Sequence, residues 1–303
     1  MIRTILKDMS SDELGLTLAH EHFIVDLDRI RKDGYSYILD VDEVVPEIRK
    51  AMDQGIQSAF EVTTNDMGRD VRKLKEISEK TGLNIVCSTG FYLSEYHPEW
   101  LNDATKEEIA EVYIRDLTEG IDGTGIRAGL IAEIASSSKG FVGNERKILE
   151  AAGLAAKKTG FAVSTHTGRI AAKETIDILL KEGVEPDKII LGHQDLIDDP
   201  EYHLSLMKQG VNIAFDTCGK TAYMPDETRA MNALKLSEAG FADHLVLSND
   251  ISRHTYFTSF DGKGYLAVMD SVVPLMREYG LPEEIIHKFL ADNPARIVNN
   301  PQI

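Results

Sequence analysis

The chain has 303 residues, 43% of them hydrophobic, which is enough to bury the core of one large domain or two ordinary ones. Its formal net charge of −17 argues against nucleic acid or an anionic membrane as a partner, since both need basic patches. A small anionic substrate stays open, because a few local cations can outweigh the global charge.

The amino terminus, "MIRTILKDMSSDELG", has no apolar segment of signal-peptide type, and no run of about 18 apolar residues occurs anywhere. The expected setting is soluble, reducing and cytoplasmic. The first strand reads "LTLAHEHF" (16–23). On a strand, residues i and i+2 share a face, so His20 and His22 point to one side and Glu21 to the other. The next strands are "SAFEVTT" (58–64), "NIVCSTGFY" (84–92), "AGLIAEIAS" (128–136) and "AVSTHT" (162–167). Then come "KIILGHQ" (188–194), "VNIAFDT" (211–217) and "HLVLSND" (244–250). Cys87 and Cys218 sit in such runs with no CxxC or CxH spacing and read as packing residues.

Amphipathic stretches separate these runs: "VDEVVPEIRKAMDQG", "GNERKILEAAGLAAKKTG" and "DETRAMNALKLSEAG" carry helical apolar spacing and end in glycine. No linker or low-complexity block marks a domain boundary. Eight near-continuous apolar strands alternating with helices predict a closed (β/α)8 TIM barrel, one domain over 1–303 with its core at about 15–297. An open doubly wound sheet is the alternative, and no strand is followed by the GxGxxG turn it would carry.

In a barrel, chemistry gathers at the carboxyl ends of the strands. Six residues stand at or near such ends: His20, His22, Glu133, His166, His193 and Asp250. Any one could be structural, as a hydrogen-bonded histidine or a capping aspartate. Glu133 is harder to dismiss, because an ionised carboxylate within a parallel strand costs several kcal/mol unless it is compensated. Four imidazoles and two carboxylates at one end make a nitrogen and oxygen donor set for Zn²⁺ or a similar ion. Six ligands suit two metals about 3.5–4 Å apart. Of the nine histidines, His97, His203, His244 and His287 read as surface or packing residues, and His254 is held open because it follows the eighth strand.

"GLTLAHEH" resembles the amino-terminal signature of the phosphotriesterase family of the amidohydrolase superfamily. "STHTG", "LGHQDL" and "LSNDIS" fall where that family places its later ligands. The similarity runs from about Ile2 to Val298. Glu133 stands where phosphotriesterases proper carry a carboxylated lysine. With "NDMGRD", "STGFY", "EGIDGTGIRAG" and "FDTCGK", that resembles the phosphotriesterase homology protein branch.

The resemblance implies two divalent ions, with Zn²⁺ the first expectation and Mn²⁺ or Co²⁺ the alternatives. His20, His22 and Asp250 would hold the more buried metal, His166 and His193 the second, with Glu133 between them. A hydroxide bridging the metals would attack an ester, Asp250 would take the released proton, and Tyr92 would donate to the substrate oxygen or form an aromatic wall. The expected activity is hydrolysis of a lactone or phosphorylated sugar lactone, with phosphoesters as the runner-up. A non-catalytic metal-loaded barrel acting in assembly and a one-metal aldolase or isomerase are the readings from other classes. Barrels of this kind often form homodimers, although no stretch here marks an interface.

The loop "FDTCGKTAYMPDETR" puts Lys220, Tyr223 and Arg229 on the catalytic face, where they would grip a substrate phosphate or carboxylate with help from Arg253 and Lys263. The competing expectation is that Lys220 and Arg229 pair with Asp226 and Glu227 and brace the loop.

Overall fold

In the computed structural model, which describes residues 1–302, all eight expected strands are present and parallel. They are β1 (Leu16–Glu21), β2 (Ile56–Glu61), β3 (Asn84–Thr89), β4 (Leu130–Ala135), β5 (Val163–His166), β6 (Ile189–Leu191), β7 (Asn212–Phe215) and β8 (Leu245–Leu247). Each pairs with its sequence neighbour, giving the order β1 to β8 around a TIM barrel. The β8–β1 seam has no regular ladder. The Ser248 hydroxyl accepts from His20 N–H at 2.9 Å, and Asp250 N–H donates to the His20 carbonyl at 3.2 Å.

Helices follow the strands as the apolar spacing requires. The three predicted ones are α1 (Val41–Asp53), α2 (Glu145–Thr159) and α3 (Asp226–Glu238). Asp40 caps α1 through Asp42 N–H, and Gly160 ends α2 in the left-handed region at φ 75°, where a Cβ is disfavoured. Among the described residues no helix is long and apolar enough to cross a membrane.

The barrel interior is filled by Ala19, Phe60, Val62, Val86, Leu130, Ala132, Ala162, Ile190, Ala214 and Val246, and Ile2, Met9, Leu14 and Ile297 close its lower end. A second, larger apolar layer lies between strands and helices, and Leu18, Ile131 and Ile134 belong to it. Strict alternation would therefore put His20 with Leu18 and Glu133 with Ile131, facing the helices. Irregularities in register between Leu18 and Glu21 and between Ile131 and Ile134 reset that phase and turn both side chains inward.

Several predicted strands are longer than the observed ones at their carboxyl ends. The ladder stops at Thr89, Leu191 and Leu247, so Tyr92, His193 and Asp250 lie on the first residues of the loops. His193 and Asp250 have positive φ, 57° and 51°, and this left-handed turn directs each side chain toward the barrel axis.

Candidate metal centre

The six predicted ligands converge above the barrel interior. Glu133 Oε1 lies 2.8 Å from His166 Nδ1, 3.1 Å from His193 Nε2 and 3.4 Å from His20 Nε2. Its Oε2 faces His22 Nε2 at 3.8 Å, and Asp250 Oδ1 approaches the same nitrogen at 3.3 Å. Two triads result, His20–His22–Glu133 and Glu133–His166–His193, and they share the glutamate.

Two of the imidazoles are hydrogen-bonded from behind, and a third, His20, faces a carboxylate there. His193 Nδ1 is 2.9 Å from Asp216 Oδ1, and His193 N–H also donates to that carboxylate. His20 Nδ1 stands 3.1 Å from Asp216 Oδ2. His22 Nδ1 is 2.9 Å from the Thr63 hydroxyl, which donates to Glu61 at 2.5 Å. With Nδ1 turned to an oxygen in each case, and hydrogen-bonded to it in His193 and His22, Nε2 is the atom that faces the centre. His20, His193 and Asp216 also group closely enough to hold an ion, but through the Nδ1 atoms. That side is the hydrogen-bonded back of the site.

The donors fit cations and little else. His166 Nδ1 and His193 Nε2 are 2.7 Å apart, a distance at which two lone pairs repel unless a proton or metal lies between them. His20 is fully buried, and neither of its ring nitrogens has a hydrogen-bond partner of good geometry. Burial opposes protonation of His20, but Asp216 and Glu133 outweigh it and raise its pKa to about 10. Burial likewise pushes Glu133 upward, and His20 and His166 overcome it and hold the carboxyl well below its usual range. The cluster thus calls for positive charge, which protons or metal ions can supply.

Glu21, on the other side of β1, fixes the loop that bears Asp250. Its carboxylate accepts from Asn249 N–H at 2.9 Å, Asn249 Nδ2 at 2.8 Å and Ile251 N–H at 3.0 Å. Tyr92 is placed from both ends: its N–H donates to Asp66 at 3.0 Å and its carbonyl lies 2.9 Å from His97 Nε2. Its hydroxyl reaches to 3.4 Å from His166 Nδ1, so it is both a wall of the pocket and a potential donor within it.

A cavity of about 220 Å³ opens over the triads, lined by Tyr92, Lys220, Tyr223, Arg253 and Tyr256 and by Arg31, which carried no sequence signal. Lys220 does not pair with Asp226 or Glu227; its ammonium contacts the carboxylate and carbonyl of Asp250. The Arg253 guanidinium lies over the rings of Tyr35 and Tyr256, 4.9 and 5.6 Å from their centroids.

Arg229 corrects an expectation. It is buried outside the pocket, bonding Asp195 at 2.6 Å, Asp226 at 2.8 Å and the Thr217 hydroxyl at 2.8 Å. An arginine on the inner face of α3 satisfies carboxylates that no water reaches, so it braces the loop and cannot grip substrate. Lys263 donates to Ser271 and lies off the pocket, and His254 packs between Tyr37 and Phe260. Asp216, directly after the seventh strand, is a functional residue absent from the predicted set, and its place at a strand end is the same signal that Asp250 carries.

The chain is similar to known proteins along nearly its whole length. The sequence profile of the Phosphotriesterase family matches residues 1–298. The phosphotriesterase homology protein of Escherichia coli (strain K12) is 32% identical over 95% of this chain and 99% of its own. A crystal structure of that protein complexed with phosphate in its active site superposes with a TM-score of 0.92, at 31% identity, over 95% of this chain and 100% of its own. An aryldialkylphosphatase of Saccharolobus solfataricus is 29% identical, covering 95% of this chain and 96% of its own. The structure of a lactonase from Listeria monocytogenes is 27% identical with a TM-score of 0.92, covering 99% of each chain. With the profile spanning nearly every residue and eight strands in the same barrel, the chain belongs to the phosphotriesterase family.

Proposed function

We propose that this chain, a metal-dependent hydrolase acting on ester bonds, opens a lactone that bears an anionic group, a phosphorylated sugar lactone being the best match. The observation that carries the reading is the pocket's charge. Arg31, Lys220 and Arg253 line one small cavity in a chain of net charge −17, against only Glu133 and Asp250 at its floor. The relative from Listeria is named a lactonase, which favours the cyclic ester.

His20, His22 and Asp250 would hold one divalent ion and His166 and His193 the other, with Glu133 shared, and Zn²⁺ suits this donor set. Such ions supply Lewis acidity, polarising the ester oxygen and making water a nucleophile near neutral pH. Water adds to the acyl carbon, the ring C–O bond breaks, and the product is a hydroxy acid. Asp250 accepts the released proton at a carboxylate oxygen held beside Lys220. Tyr92 donates its hydroxyl hydrogen to the substrate oxygen on the His166 side. Two hydrogens of the Lys220 ammonium serve Asp250, and the third is left for the substrate anion.

Phosphoester hydrolysis is the second reading, supported by the Saccharolobus relative's name and by the phosphate in the Escherichia coli structure. A screen of the metal-loaded protein against lactones, phosphorylated lactones, carboxylate esters and phosphoesters separates the two. The phosphorylated lactones should give the highest kcat/KM. A preference for phosphoesters would install the second reading, and turnover of none would refute both.

A further inference from the structure

A short antiparallel hairpin, Val25–Asp26 with Tyr37–Ile38, leaves the end of β1 and carries one helical turn, Asp28–Arg31, over the pocket mouth. The excursion is held in shape from within. Asp33 accepts from Tyr35 N–H, Ser36 N–H and the Ser36 hydroxyl, and Asp28 accepts from Gly34 N–H at 2.6 Å. It is also tied to its surroundings. Tyr35 lies beneath the Arg253 guanidinium, Tyr37 packs at a tilt against His254 with centroids 4.6 Å apart, and the Tyr96 hydroxyl donates to the Leu27 carbonyl at 3.4 Å.

Arg31 projects from this turn into the pocket beside the phenols of Tyr92 and Tyr96. Among the described residues no carboxylate lies within ion-pair distance of it, although the chain carries 50 acidic residues against 33 basic ones. Lys220 and Arg253 enter the same cavity from the loops after β7 and β8. Two forks and an ammonium on different walls offer more donors than a carboxylate, with two oxygens, can satisfy. A phosphate monoester has three terminal oxygens and up to two charges.

We propose that Arg31 is a specificity-determining residue that binds a phosphate monoester from the Tyr92–Tyr96 wall, closing on the anion that Lys220 and Arg253 hold from the other side. This rests on the proposed function for the anionic nature of the ligand, though not for its turnover. The test is calorimetric titration of the zinc-reconstituted protein with ribose 5-phosphate, ribonate and ribose, which are not lactones. Wild type should bind ribose 5-phosphate more tightly than ribonate, and ribonate more tightly than ribose. Arg31→Gln should weaken the phosphate ligand by roughly 10- to 150-fold, the loss of one charge-assisted contact, with metal content intact. Arg31→Lys, which keeps the charge without the fork, should fall between. Failure of wild type to prefer ribose 5-phosphate, or an Arg31→Gln loss under about threefold or equal for all three ligands, would overturn the assignment. If Arg31-dependent phosphate binding holds while no lactone is hydrolysed, the proposed function fails and this inference stands.

Discussion

Asp216 stands behind two of the candidate ligands at once. One carboxylate faces Nδ1 of two imidazoles, at 2.9 Å for His193 and 3.1 Å for His20, and also accepts His193 N–H at 3.0 Å. Replacing it with asparagine keeps the volume but leaves one oxygen and one NH₂ group. The amide can accept from one imidazole only and must point a donor at the other. Burial alone would raise the Asp216 pKa, and it is His193 and His20 that hold the carboxyl below its usual range, so the charge is part of the anchoring. Loss of one such partner of a metal-bound histidine costs about 10- to 100-fold in metal affinity, or roughly 1.4–2.7 kcal/mol. Competition against a zinc chelator at pH 7 reads this directly, fitted with two sites per chain. Asp216→Asn should weaken at least one site by that factor, while stoichiometry at saturation stays at two. Both dissociation constants within about twofold of wild type would refute the orienting role.

Asp250→Asn retains a carbonyl oxygen near His22 but removes the proton acceptor, so kcat should fall by roughly 10²–10⁴-fold with a smaller loss of metal; full activity on a validated substrate would exclude the shuttle. Arg229→Met should destabilise the fold by about 3–5 kcal/mol, because Asp195 and Asp226 lose their buried cation. Denaturant unfolding measures it, and a stable variant with a raised KM for phosphorylated ligands alone would return Arg229 to the binding site. His203 is buried against the Gln194 carbonyl, and burial lowers its pKa to about 4. A histidine depressed in the fold is protonated first in the unfolded chain, so its contribution is intact above pH 6.5 and is lost as pH falls toward 4. Wild type should lose about 2–3 kcal/mol more than His203→Gln between pH 7 and 4.5, and parallel stability curves would contradict the assignment.

The barrel and its ligand set are legible in the sequence because both are written in local order. Apolar runs of strand length repeat eight times with helical spacing between them, and each candidate ligand stands at or near the carboxyl end of such a run, where a parallel barrel exposes its chemistry. The pair His20 and His22 shares a face, as i and i+2 do on a regular strand. Which face that is, the sequence alone does not say. Continuing the alternation from Leu18 or Ile131 would turn His20 and Glu133 toward the helices, and only the register irregularities in β1 and β4, which depend on pairing with β2 and β5, turn them inward. The loop cations follow the same rule over longer distances. Lys220, Arg229 and Arg31 are all basic residues in or near loops on one face. Lys220 finds Asp250 thirty positions away, Arg229 is drawn into the core by Asp195, and Arg31 is swung over the pocket by a hairpin docked on the β8 loop. Periodicity determines which residues share an element. Where a side chain ends depends on partners far along the chain, and those meet only when the barrel closes.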